Sequence, residues 1–393
     1  MYTLVDRPPQ WLRPFAPVAI VGVVLLVQFG PGCTKRAQTA EDAAIAGAAE
    51  VAPATADTAA ATDAATATGL ADAPSAAVAP LKATLPLVLI ADAPLPGGTT
   101  RFDYMDVDAA QGHLIVAHMN DGVLLVLSLK DGSVAQQLPG IPTVRGVSVA
   151  NDVGRIFATS APNQLVIVDN QKLTEIARVK TGKAPDGVGW DPVDKVVGVS
   201  DQGDGAISLI ADSGNGKRVQ TVLGSETGNV VYDASRGVFW ITVVAKKPPD
   251  QLIAVDPKTA LVVTTLDVPG CDGAHGLRLH PDGLSALIAC EGNDKLARLE
   301  LDGAHAVSIA ATGGGPDVLA TDPALGWMYV AAESGDVTVV DLTKPGLVVV
   351  GTDHPGNNAH TVAVDAATHR VFFPLMVGPA GKPVLRIMRP GGI

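Results

Sequence analysis

The chain has 393 residues, 47% of them hydrophobic, enough for a sizeable core. Its 28 basic against 40 acidic residues leave a formal charge of −12, which opposes attraction to phosphate backbones and anionic headgroups, so nucleic acid is a poor default partner. Beyond the N-terminal segment no basic run exceeds two residues, as in Lys246-Lys247, and no positive stripe is present.

Residues 1–33 read as an export signal: Arg7 and Arg13 in a polar start, an apolar run from Phe15 to Phe29, then the small residues Gly30, Gly32 and Cys33. As a helix the fifteen-residue run would span about 22 Å against a hydrocarbon core of ~30 Å, which favours a removed signal over a retained anchor. Cys33 after Gly-Pro-Gly resembles the lipidated cysteine of a bacterial lipoprotein, with Gly30 where that pattern usually has Leu or Val. The alternative is ordinary cleavage. Either reading places the chain outside the cytoplasm, in the periplasm or cell envelope or secreted, touching membrane only through this signal or a lipid. Residues 34–83, rich in Ala, Thr, Asp and Pro without a large apolar residue at any period, read as a disordered tether.

Residues 84–393 change character. Short Val/Ile/Leu-rich runs alternate with clusters of Gly, Pro, Asn and Asp, and no amphipathic helix is evident, so the domain is expected to be all-β. An apolar strand meets a turn at Val107-Asp108, Val149-Ala150, Trp190-Asp191, Tyr232-Asp233, Leu279-His280, Thr321-Asp322 and Val364-Asp365. The steps are 42, 41, 42, 47, 42 and 43 residues, each with room for four strands. Such a period predicts a seven-bladed β-propeller, because a blade this small cannot bury its own faces and must stack on its neighbours. The seventh unit lacks an outermost strand, and the segment 85–91 can supply it, closing the ring. Two places obscure the pattern: an insertion at Lys246–Asp250 in blade four, and Pro374 and Pro383 in blade seven.

The segment 179–192, VKTGKAPDGVGWDP, and the strand Val337-Thr338-Val339-Val340-Asp341 resemble the YVTN-type propeller repeat. The resemblance extends over the region after residue 84 and implies a YncE-like exported propeller. It speaks for the fold and says little about function.

Since the inner strand of every blade begins at one mouth of the channel, residues five before each landmark should form a ring: Asp103, Arg145, Asp186, Gly228, His275, Asp317 and His360. A second set, His118, Asp201, Glu291 and Glu333, lies at the far end of the next strand and is expected at the same mouth. These side chains would bind a small ligand or partner; the bland alternative is solvated polar lining. His275, Asp317 and His360 have donor types suited to zinc or copper on consecutive blades and are the candidate metal site, without any local ligand spacing. Cys271 and Cys290 lie across one hairpin and are expected to form a disulfide or to remain two buried thiols.

No Gly-x-Ser-x-Gly elbow, His-Glu-x-x-His, Cys-x-x-Cys-His or EF-hand loop is present. The leading expectation is therefore a monomeric binding or scaffold protein for an unidentified envelope protein or small ligand. A metal-assisted hydrolase such as a lactonase is the alternative, and an electron-transfer accessory to a copper or haem partner rests on the histidines alone.

Overall fold

The computed structural model describes residues 83–214 and 218–393. The expected export signal at 1–33, with Cys33, and all but the last residue of the expected tether at 34–83 lie outside the described residues. The described chain is all-β: seven four-stranded antiparallel sheets, at 105–139, 144–180, 185–222, 226–268, 274–311, 316–353 and 363–391, the last completed by the strand Thr84–Pro94. Among the described residues no helix is long and apolar enough to cross a membrane.

The landmark residues have a common job. Asp108, Asp191, Asp233, Asp322 and Asp365 end the inner strands, and one carboxylate oxygen of each accepts a backbone N–H two or three residues on, as from Val193 to Asp191 at 2.8 Å. This is the turn chemistry that makes Asp common there. In blade five His280 stands in the same place, and its Nδ1 accepts the N–H of Asp282 at 3.3 Å. That histidine is a turn residue of the scaffold.

Inner and middle strands are buried on both faces because each blade is covered by two others. The outer strands are exposed along most of their length, Val134–Pro139 being an example. Seven apolar clusters result, one at every junction between neighbouring blades, including the junction of blades seven and one. Tyr329, Phe157, Phe239, Phe372 and Phe373 are fully buried in them, each worth roughly 1.5–3 kcal/mol in area removed from water. The proline at 374 is accommodated in blade seven's second strand, opposite Leu385, and the insertion at 246–250 lengthens one hairpin of blade four.

Closure follows the expected route with a longer strand. Thr84–Pro94 pairs antiparallel with Val384–Gly391, and Asp92 lies directly across from Arg386. The guanidinium donates to both Asp92 oxygens, at 2.8 and 2.7 Å, and also to the carbonyl of Pro355 on blade six. A two-pronged pair of this kind, four-fifths buried, fixes register as well as adding energy. Asp92→Ala should therefore destabilise the domain by about 1–2 kcal/mol, read as a lower midpoint in urea at unchanged slope. An unchanged midpoint would mean that the strand alone holds the closure.

Candidate functional site at the channel mouth

The ring residues reach the mouth through a recurring irregularity of the inner strand. In blade two Val144 pairs with Ser160 and Val147 with Ala158, so three steps on one strand face two on the other. The same extra residue occurs at Pro185/Val188, Thr227/Val230, Ala274/Leu277 and Pro316/Leu319. Such a bulge bends the strand and re-aims a side chain. Here it turns Arg145, Asp186, His275 and Asp317 out of the blade stack and into the channel, while Gly228 contributes no side chain.

Beneath them the channel narrows to a cavity of about 40 Å³ lined by Tyr104, Met105, Val147, Val188, Val230 and Leu277, among others. It holds a few waters at most. Asn229 and Arg278 line it as well, so the site is a polar cup over a floor of mixed polarity.

Within the cup the groups engage one another across the ring. His275 Nε2 lies 3.2 Å from the Tyr104 hydroxyl, 3.4 Å from Asp186 Oδ2 and 3.7 Å from Asp317 Oδ1. Arg145 lies 3.7 Å from Asp186 and donates to Gln202 Oε1 at 2.8 Å; Gln202 in turn donates to Glu226 at 2.9 Å. Arg101 reaches Glu333 at 2.7 Å and Asp317 Oδ2 at 3.6 Å. Asp103, Asp317 and His360 each offer a ligand-type atom, all within 4.8 Å of one another. His275 stands outside that trio. The sequence-derived metal set is therefore altered at one position: Asp103 joins Asp317 and His360, because His275 crosses instead toward Tyr104 and Asp186.

Burial and crowding shift these groups strongly. Burial, helped by the charge of Asp186, pushes the Asp103 carboxyl up to about 7. Burial likewise holds Asp317 well above the carboxylate range, although His275 opposes it. For His275 burial alone would lower the imidazole, but Asp186, Asp317, Glu291 and Asp103 together raise it. His360 goes the other way: burial first, then Arg101, lowers it to about 4 against the pull of Glu333 and the carbonyls of Asn358 and Phe102. At neutral pH the mouth thus pairs a protonatable His275 with a neutral His360.

The second set divides. Glu333 and Glu291 belong to the mouth, the first through Arg101 and the second through its charge on His275 and Asp317. His118 and Asp201 do not share it. His118 stacks on Phe102 at 4.1 Å and bonds Thr100, while Asp201 is enclosed by Ser208, Gln220 and the Gly182 N–H. The reason is one residue of register. Asp201 pairs with Pro185 and Cys290 with Ala274, so Cys290, not Glu291, is the counterpart of Asp201, and His118 likewise ends its strand. A one-residue step turns a side chain to the opposite face. The counterpart of Glu291 and Glu333 in blade three is Gln202, which does reach the mouth. Cys271 and Cys290 are bonded, with Sγ atoms 2.06 Å apart, directly behind His275 in sequence and strand order.

Arg101, Tyr104, Asn229 and Gln202 were not singled out from the sequence. Tyr104 follows its ring residue where blades two, three and five have Gly146, Gly187 and Gly276, a departure visible in the repeat. Its phenol, bonded by Asn229, is raised well above its ordinary range by burial.

No family model and no curated protein sequence matches the chain. Solved structures do. The hydrazine synthase of Kuenenia stuttgartiensis superposes with a TM-score of 0.63 at 16% identity, covering 74% of this chain and 96% of that one. Virginiamycin B lyase from Staphylococcus aureus gives 0.62 at 13% identity, over 76% and 98%. At such identities the likeness establishes the seven-bladed fold and carries nothing about chemistry.

Proposed function

We propose that this chain is an exported, envelope-associated propeller of the YVTN-repeat, YncE-like kind that captures a small polar ligand bearing positive charge at one mouth of its channel. The observation that carries the reading is a set of buried acceptors that make no hydrogen bond, Asp186 Oδ2, Asp317 Oδ1 and His360 Nε2, on residues that are 3%, 5% and 1% exposed, with the two carboxylate oxygens sharing only the His275 imidazole at 3.4 and 3.7 Å. Buried polar atoms are usually completed by a partner group, a water or an ion, and three of them converging on one open mouth suit a bound ligand. The sign of the ligand follows from the surroundings. Asp103, Asp186, Glu226, Glu291, Asp317 and Glu333 outnumber Arg101, Arg145 and His275, and both guanidiniums are already engaged. The Cys271–Cys290 bridge supports an oxidising compartment, and the acidic tether suits a domain held off a surface.

Thermal shift against small amines, putrescine, spermidine and choline, with matched carboxylates as controls, tests this. A ligand at a hundred times its Kd adds about 2.7 kcal/mol of stability. The expected result is a higher melting temperature with at least one amine in the wild type and none in Asp186→Asn. Stabilisation by the carboxylates alone, or stabilisation that survives the substitution, would overturn it.

A hydrolase reading, such as a lactonase, finds support in the convergence of Asp103, Asp317 and His360, since metal-assisted ring opening needs an ion with an open position. Lactone turnover by metal-loaded protein, lost in Asp317→Asn, would favour it over simple capture.

A further inference from the structure

Resting on the cation-binding reading of the mouth, we infer that Asp103, Asp317 and His360 form a binding site for one divalent first-row transition ion, which would anchor the ligand through its open coordination positions. The three residues come from blades one, six and seven, so the site is assembled across the ring closure and exists only in the folded propeller.

Convergence of acidic groups alone would be weak evidence, and two further features point to an ion. The first is the orientation of His360. Its Nδ1 lies 3.1 Å from the carbonyl of Asn358, an acceptor only, so Nδ1 carries the proton and Nε2 presents its lone pair. That Nε2 is buried and unpartnered. A backbone carbonyl fixing one ring nitrogen while the other faces a metal is the usual second layer of histidine ligation. The second feature is Asp317, whose buried Oδ1 makes no hydrogen bond; its nearest charged neighbour is His275 Nε2 at 3.7 Å, while Oδ2 lies 3.6 Å from Arg101. Arg101 is in turn held by Glu333, which balances its charge beside the site. Asp103 adds the second carboxylate, so the two acids match a divalent charge.

The donor set sets the class of ion. An imidazole with two carboxylates suits zinc, manganese or iron(II) better than calcium or magnesium, which favour all-oxygen cages. Donors about 2.1 Å from an ion stand at most about 4.2 Å apart, so the trio, within 4.8 Å, needs only a small closing movement of side chains. Three protein donors leave at least one position for the ligand.

The test uses untagged full-length protein, stripped with chelator and titrated calorimetrically with Zn²⁺, Mn²⁺, Ca²⁺ and Mg²⁺, with elemental analysis of the dialysed complex. The expected result is one equivalent of Zn²⁺ or Mn²⁺, an affinity at least 100-fold lower in both Asp317→Asn and His360→Gln, and a change of less than 5-fold in His305→Gln, an exposed loop histidine. Melting curves of the stripped variants establish that they fold. Loss of metal in His275→Gln with retention in His360→Gln would overturn the assignment, as would preference for Ca²⁺ or Mg²⁺. Wild type that binds no transition ion, yet is still stabilised by an amine through Asp186, would sink the metal site and leave the cation-binding mouth standing. Absence of both responses would sink the two together.

Discussion

Gly276→Ala should destabilise the propeller by roughly 3 kcal/mol or more, a very large effect for one methyl group. A Cβ built on Gly276 would sit 1.9 Å from the backbone carbonyl oxygen of Asp317 on the next blade, and one on Gly146 would sit 2.1 Å from that of Asp186. Neither obstacle is a side chain that can rotate away. The bulge that turns a ring residue into the mouth also presses the following residue against the adjacent blade, so glycine there is a condition of close stacking. In blade two the seam is sealed by Thr159, whose hydroxyl donates to the Asp186 carbonyl at 2.7 Å while the Gly146 N–H donates to the hydroxyl. Blade four repeats the device with Thr242 and the carbonyl of His275. Because the displaced oxygen belongs to Asp317, any folded fraction of Gly276→Ala should also bind its cation more weakly. Urea denaturation checks the first effect and ligand titration the second. Gly314→Ala, where the added atom meets neighbours no closer than 3.7 Å, is the control and should stay within about 0.5 kcal/mol. Equal effects of the two substitutions would remove the steric argument.

The ring was legible because five of the seven blades repeat one chemical device, an Asp that caps the turn after the inner strand and marks the register. Counting back five residues from that place lands in the bulge in blades two to six. Asp103, Arg145, Asp186, His275, Asp317 and His360 could be placed in this way without any contact information. The same counting failed for His118 and Asp201, because the second strand carries no such marker and a register uncertain by one residue reverses the face. Arg101 was hidden for another reason: it precedes the strand, and only the length of its side chain carries it across to Asp317 and Glu333. The choice between His275 and Asp103 beside Asp317 and His360 was likewise beyond sequence. It depends on Tyr104, in a place where three other blades have glycine, drawing His275 toward the centre of the cup. Closure by the N-terminal strand could be read from a missing fourth strand, whereas its extension to Pro94 depends on Asp92 meeting Arg386.

With chelator present, the domain should be most stable near pH 4 and should lose stability as the pH rises toward 8, the reverse of what ordinary surface carboxylates produce. The signs follow from the direction of each shift. Asp103 titrates near 7 when folded and near 3.8 when unfolded, so the folded state holds the extra proton between those values and stability falls as pH rises through that window. Asp317 acts in the same direction, its folded carboxyl lying well above 3.8. His275, raised when folded, contributes stability that is complete below its unfolded value of 6.5 and lost as pH rises through the higher folded one. His360 opposes them: lowered to about 4, it makes stability rise with pH up to 6.5 and then stops contributing. Each group alters stability by at most about 1.4 kcal/mol per pH unit. Between pH 4 and 6.5 two falling contributions meet one rising one, and above 6.5 only falling ones remain. Below about pH 4 the carboxylates held low by turns and ion pairs, such as Asp233 and Asp282, protonate and bring the acid limb down. Melting curves from pH 4.5 to 8.5 should therefore descend by several degrees, and Asp103→Asn should flatten them by removing one falling contribution. A profile that is level or climbs to pH 8 in the wild type would show that the mouth carboxylates are not held protonated by burial.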